Sequence, residues 1–74
     1  MKKLNQIISG VLRMKEEELK NGLTMQDLES WDSLKHMDLI TSIEKDFDIQ
    51  FSMDEILIMT DIKTIKKIVN EKLL

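Results

Sequence analysis

The chain has 74 residues, enough for one small domain (1–74) whose stability is on the order of 3–5 kcal/mol. It has no cysteine, which excludes a disulfide framework and any thiolate metal or redox site of its own, and fits a reducing cytoplasm. Basic and acidic side chains number five and three in residues 1–24, two and seven in 25–48, and four and four in 49–74. The net charge of −3 is thus concentrated in the middle third, an acidic surface that attracts basic partners and repels nucleic acid and anionic lipid, or simply keeps a small domain soluble.

At the N-terminus, Met1-Lys2-Lys3-Leu4 is followed by Asn5, Gln6, Ser9 and Gly10, so neither a signal peptide nor a membrane span is predicted. Leu4, Ile7, Ile8, Val11 and Leu12 recur at helical spacing and predict a first helix ending somewhere between Met14 and Leu19. Asn21-Gly22 is a turn signal. A long connection follows, with Leu23, Met25, Leu28 and Trp31 as its apolar anchors. Ser33 reads as the N-cap of a second helix, in which Leu34, Met37, Ile40, Ile43 and Phe47 repeat at three- and four-residue steps. Asp48 to Phe51 is a loop anchored by Ile49 and Phe51. Ser52-Met53-Asp54-Glu55 is a capping box opening a short third helix with Ile56, Leu57 and Met59 on its apolar side. Thr60 or Asp61 caps a fourth helix with the apolar face Ile62, Ile65, Ile68, Val69 and Leu73.

No one of these helices can bury its stripe alone, so the expected fold is all-α: a small four-helix bundle of three longer helices and a short third one. Six methionines and only two phenylalanines make the core adaptable. Met14 and Met25 read as packing residues. Met37 and Met59, near the start of helix two and the end of helix three, are placed to line an opening for a linear apolar chain.

The sequence Glu29-Ser30-Trp31-Asp32-Ser33-Leu34 puts a serine at a helix mouth. A nucleophilic role would need a base, and His36 is the only histidine. No acid is clearly placed to orient it and no substrate pocket is evident, so a hydrolase is a poor reading and His36 is expected on the surface. A phosphodiester on Ser33 fits better, because free N–H groups and the helix dipole favour an anion there. Taken alone, Ser33 reads better as an ordinary cap. Asp32 would repel such a phosphate if it pointed the same way, and reads as a contact for a modifying enzyme or its metal ion.

Two other classes are poor fits. Lys63, Lys66, Lys67 and Lys72 do not make an acidic chain a nucleic-acid binder. Asp46, Asp48, Gln50, Ser52 and Asp54 alternate like a calcium loop, but Phe51 stands where glycine is needed and Leu57 where glutamate must ligate. No metal site is expected.

Asp32-Ser33-Leu34 followed by Met37, Asp38, Leu39, Ile40, Ile43, Glu44 and Phe47 resembles the acyl carrier protein family. The resemblance continues through Ile49-Gln50-Phe51 to Thr60-Asp61-Ile62 and covers roughly residues 4–73. It implies a four-helix carrier without catalytic activity. It implies that a phosphopantetheinyl transferase (carrier-protein synthase) attaches 4′-phosphopantetheine covalently to Ser33, and that the arm's thiol holds acyl groups as thioesters for partner enzymes of fatty-acid, polyketide or related biosynthesis. Acyl-transferring or condensing enzymes with basic patches would dock on helix two, with Leu34 and Met37 as apolar contacts and Asp32, Asp38 and Glu44 as acidic ones. The expected location is the cytoplasm, and the resemblance favours a monomer. Lys35 stands where fatty-acid carriers usually have an acid, and Trp31 where they have a small residue. That start looks more like stand-alone carriers of polyketide, surface-polysaccharide or amino-acyl pathways. The alternatives are an aminoacyl or peptidyl carrier, and an unmodified helical interaction domain.

Overall fold

The computed structural model describes residues 2–20 and 22–74. Four α-helices account for most of them: α1 (Lys2–Leu12), α2 (Ser33–Phe47), α3 (Met53–Ile58) and α4 (Ile62–Leu73). Three are long and the third is short, the bundle that the apolar periodicity predicts.

Helix α1 buries Leu4, Ile8 and Leu12 on one stripe. It ends earlier than the apolar spacing suggests. Arg13 adopts a left-handed conformation (φ 56°), and the Met14 N–H donates to the Ser9 carbonyl at 3.0 Å. This six-to-one bond closes the last turn as a Schellman cap, with arginine where glycine is usual. Glu16–Glu18 forms a separate single turn, whose Glu18 carboxylate accepts from the Lys15 N–H at 2.9 Å. Gly22 lies in a turn; Asn21, the other half of that signal, is outside the described residues.

The connection from Gly22 to Asp32 is held from both sides. The Met25 N–H donates to Thr60 O at 2.8 Å and the Ile62 N–H to Leu23 O at 3.0 Å, framing an isolated antiparallel bridge between Thr24 and Asp61. The Ser30 hydroxyl donates to Leu12 O at 3.2 Å. The path leading to Ser33 is therefore tied to both α1 and the start of α4.

Helix α2 turns His36, Leu39, Ile40 and Ile43 inward. Leu34 and Met37, assigned by spacing to the same apolar stripe, instead face solvent at 79% and 49% exposure. The helix ends at Asp48, again left-handed (φ 56°), and the Ile49 N–H donates to Glu44 O at 3.1 Å. Helix α3 has the predicted capping box: the Ser52 hydroxyl oxygen accepts from the Glu55 N–H at 3.2 Å, and Glu55 Oε1 accepts from the Ser52 N–H at 2.8 Å. Ile56 is half-buried, but Leu57, expected inside, is exposed together with Ile58. Asp61, one of the two predicted caps, begins α4 by accepting from the Thr64 N–H at 3.3 Å. Ile62, Ile65, Ile68 and Val69 are buried as expected, while Leu73 at the end of the face is exposed.

Candidate functional site

The mouth of α2 is built from the connection upward. Trp31 is buried at 2% exposure, and its backbone N–H closes a turn onto Leu28 O at 3.2 Å. Burying an indole demands a partner for its N–H. That partner is Nδ1 of His36, at 3.1 Å. The other ring nitrogen of His36, Nε2, lies 3.0 Å from the carbonyl oxygen of Ile56 on α3. The indole can only donate and the carbonyl can only accept, so the imidazole carries its proton on Nε2. His36, expected at the surface, is in fact 8% exposed and joins three segments: the connection, α2 and α3. The sequence held a signal for this. His36, Leu39, Ile40 and Ile43 have the spacing of one helix face, so the histidine belonged to the buried stripe.

Asp32, not Ser33, caps the helix. Its Oδ1 accepts from the Lys35 N–H at 2.9 Å, and its carbonyl receives the His36 N–H at 2.8 Å. A carboxylate here is stabilised by the helix dipole and satisfies one of the orphan donors. The carboxylate thereby shares the helix end with Ser33, where the helix dipole offsets part of the repulsion an anion on Ser33 would meet. Ser33 becomes the first helical residue. It is exposed, and its hydroxyl has no hydrogen-bond partner among the described residues. The N–H groups of Ser33 and Leu34 lack intrahelical partners, as at any helix start. The position therefore offers a free nucleophilic oxygen to an incoming enzyme and a favourable seat for a phosphate.

Beside Ser33 runs a groove of about 270 Å³, lined mainly by Met25, Met37, Met53, Ile56 and Leu57, with His36 and Thr60 as further polar members. Met37 lines it as expected. Met59 does not; it is completely buried in the core, because the chain turns inward after α3. Met25, read from sequence as a packing residue, is half-buried and shares the wall.

The remaining predicted contacts separate. Leu34, Met37 and Asp38 are exposed on the outer side of α2. Asp38 shares a shallow hollow with Arg13 and Lys35, so the field around it is mixed rather than purely acidic. Glu44 is half-buried and its Oε2 accepts from the Phe51 N–H at 2.9 Å, so one carboxylate oxygen fastens the loop between α2 and α3. Among the described residues, no cluster of three or more His, Asp or Glu side chains is placed to hold a metal ion.

A family model described as a phosphopantetheine attachment site matches residues 2–71. The acyl carrier protein of Buchnera aphidicola subsp. Schizaphis graminum (strain Sg) is 41% identical over 54 residues, spanning 73% of this chain and 68% of that protein. The solution NMR structure of the holo acyl carrier protein from Geobacter metallireducens matches with a TM-score of 0.86 at 29% identity, covering 97% of this chain and 83% of that one.

Proposed function

The chain belongs to the acyl carrier protein family, and from that premise we propose that Ser33 is the residue to which its 4′-phosphopantetheine is joined. The protein is a carrier without chemistry of its own, and the bound group supplies a thiol that the cysteine-free chain lacks. The observation that carries the site assignment is the free, exposed Ser33 hydroxyl at the first position of α2, beside an apolar groove. Asp32 supports it by organising the helix end without occupying the serine.

The residues present fit the group. The unpaired N–H groups and dipole of α2 accommodate its phosphate. The methionine-lined groove can shelter an apolar segment leading away from Ser33. Exposed Leu34 and Met37, with Asp32 and Asp38 around them, form a surface for basic, partly apolar partners: the phosphopantetheinyl transferase first, then acyl-transferring or condensing enzymes. We place the cargo among acyl intermediates of fatty-acid, polyketide or related biosynthesis. We place the protein in the cytoplasm, which the absence of cysteine fits. Among the described residues, no helix is long and apolar enough to cross a membrane.

The test is intact-protein mass spectrometry after incubation with coenzyme A, magnesium and a broad-specificity phosphopantetheinyl transferase. The wild type should gain one phosphopantetheine and Ser33→Ala none. A gain on the alanine variant would refute the site. No gain on folded wild type, with a control carrier loaded alongside, would favour an unmodified interaction domain.

A further inference from the structure

Of the residues lining the groove beside Ser33, only the polar His36 is buried. His36 is the first residue of the inward face of α2, one turn before Leu39 and Ile40. Its ring spans from the Trp31 indole on one side to the Ile56 carbonyl of α3 on the other, at 3.1 and 3.0 Å. Beyond it the interior is filled: Leu39, Ile40, Met59 and Ile62 are each no more than 1% exposed. Met25 and Thr60, which also line the groove, are joined by a backbone hydrogen bond of 2.8 Å.

We propose that His36 closes the bundle next to the arm, so that the cargo is a short or polar acyl group held in the surface groove, not a long alkyl chain threaded into the core. The proposal rests on the assignment of Ser33 as the attachment residue. Threading a chain between α2 and α3 would break the contact from His36 to Ile56 and disturb the indole behind it. An alkyl chain brings no donor or acceptor, so the imidazole and the buried indole N–H would be left without partners in a dry interior. A short acyl group leaves both bonds intact. A cargo with a hydroxyl, amino or carboxyl group gains a polar neighbour at the mouth in Thr60, both ring nitrogens of His36 being already engaged. His36 is thus a positioning and size-limiting residue that touches the groove without taking part in any bond exchange.

The experiment loads full-length protein with acetyl- or dodecanoyl-phosphopantetheine, using a tolerant transferase and the corresponding coenzyme A thioesters. Mass spectrometry verifies occupancy at Ser33, after which thermal midpoint and amide exchange are measured. In the wild type the two cargoes should give midpoints within about 2 °C of each other, with unchanged exchange at Leu39, Ile40 and Met59. In His36→Ala the dodecanoyl form should melt about 5 °C or more above the acetyl form and protect those amides further. His36→Gln should behave like wild type, because its amide can accept from the indole and donate to the carbonyl. If His36→Ala does not fold, the wild type and His36→Gln decide the matter. A dodecanoyl cargo that raises the wild-type midpoint by about 5 °C and slows core exchange would overturn the size limit while leaving Ser33 as carrier. Failure to load Ser33 at all would remove the premise, and the two failures are told apart by the mass spectrum.

Discussion

At the level of single residues, Asp32 and Ser33 divide two jobs that the sequence assigned to one side chain. Asp32 binds the first turn of α2, and Ser33 is left free. Their stability effects should therefore diverge. Asp32→Ala should cost about 1 kcal/mol in urea unfolding, the usual value of a lost N-cap. Ser33→Ala should fall within about 0.5 kcal/mol of wild type, as for an exposed residue away from any bonded network. A loss of about 1 kcal/mol in Ser33→Ala with none in Asp32→Ala would show that the serine, not the aspartate, caps the helix. The motif itself was legible because Asp-Ser-Leu stands in register with four helices. The division of labour was not, because both residue types are good caps and only backbone geometry selects between them. His36 was misread for a related reason: a lone polar side chain suggests the surface unless its register with Leu39, Ile40 and Ile43 is given priority.

At the level of elements, the capping box of α3 and the start of α4 were readable because each has a polar side chain with a local backbone target. The end of α2 was also readable, since the apolar repeat stops at Phe47 and the loop begins at Asp48. The end of α1 was not, because it closes through a left-handed arginine, Arg13, a residue type with no sequence signal for that conformation. The α3 box also has a consequence for acid stability. The Ser52 backbone N–H, followed by the Lys72 ammonium 2.9 Å away, holds the Glu55 carboxyl below its ordinary value of 4.5. A carboxyl lowered in the folded state contributes stability above 4.5, and that contribution is lost as pH falls from 4.5 through the lower folded value. Urea unfolding of wild type and Glu55→Gln across this range should show the wild-type advantage shrinking with acidity. A difference independent of pH would show that the carboxylate charge does not contribute. Lys72 also sits 5.7 Å over the Phe51 ring, so this clasp joins α3, the preceding loop and α4.

For the molecule as a whole, the radius of gyration of 11.1 Å is close to the roughly 11 Å expected of a folded chain this long. On the outside, the exposed face of α2 combines Leu34, Met37 and Asp38, the surface we propose for docking. Asp38→Lys should weaken binding to a partner with a basic patch by roughly tenfold at low salt, mostly through slower association, with less effect at high salt. Circular dichroism should remain unchanged. An affinity equal to wild type would move the docking face elsewhere. The bundle was legible from apolar periodicity; the ties that fix the connection were not, because backbone hydrogen bonds across long sequence separations leave little mark on residue type. Those ties join Leu23, Thr24 and Met25 to Thr60, Asp61 and Ile62, nearly half the chain away. Contacts of such separation form only after a large loop has closed, which makes them late events in folding. The setting of Ser33 is thus complete only when α4 has docked. An enzyme that recognises that setting would discriminate against incompletely folded chains, making the covalent mark itself a record of finished folding.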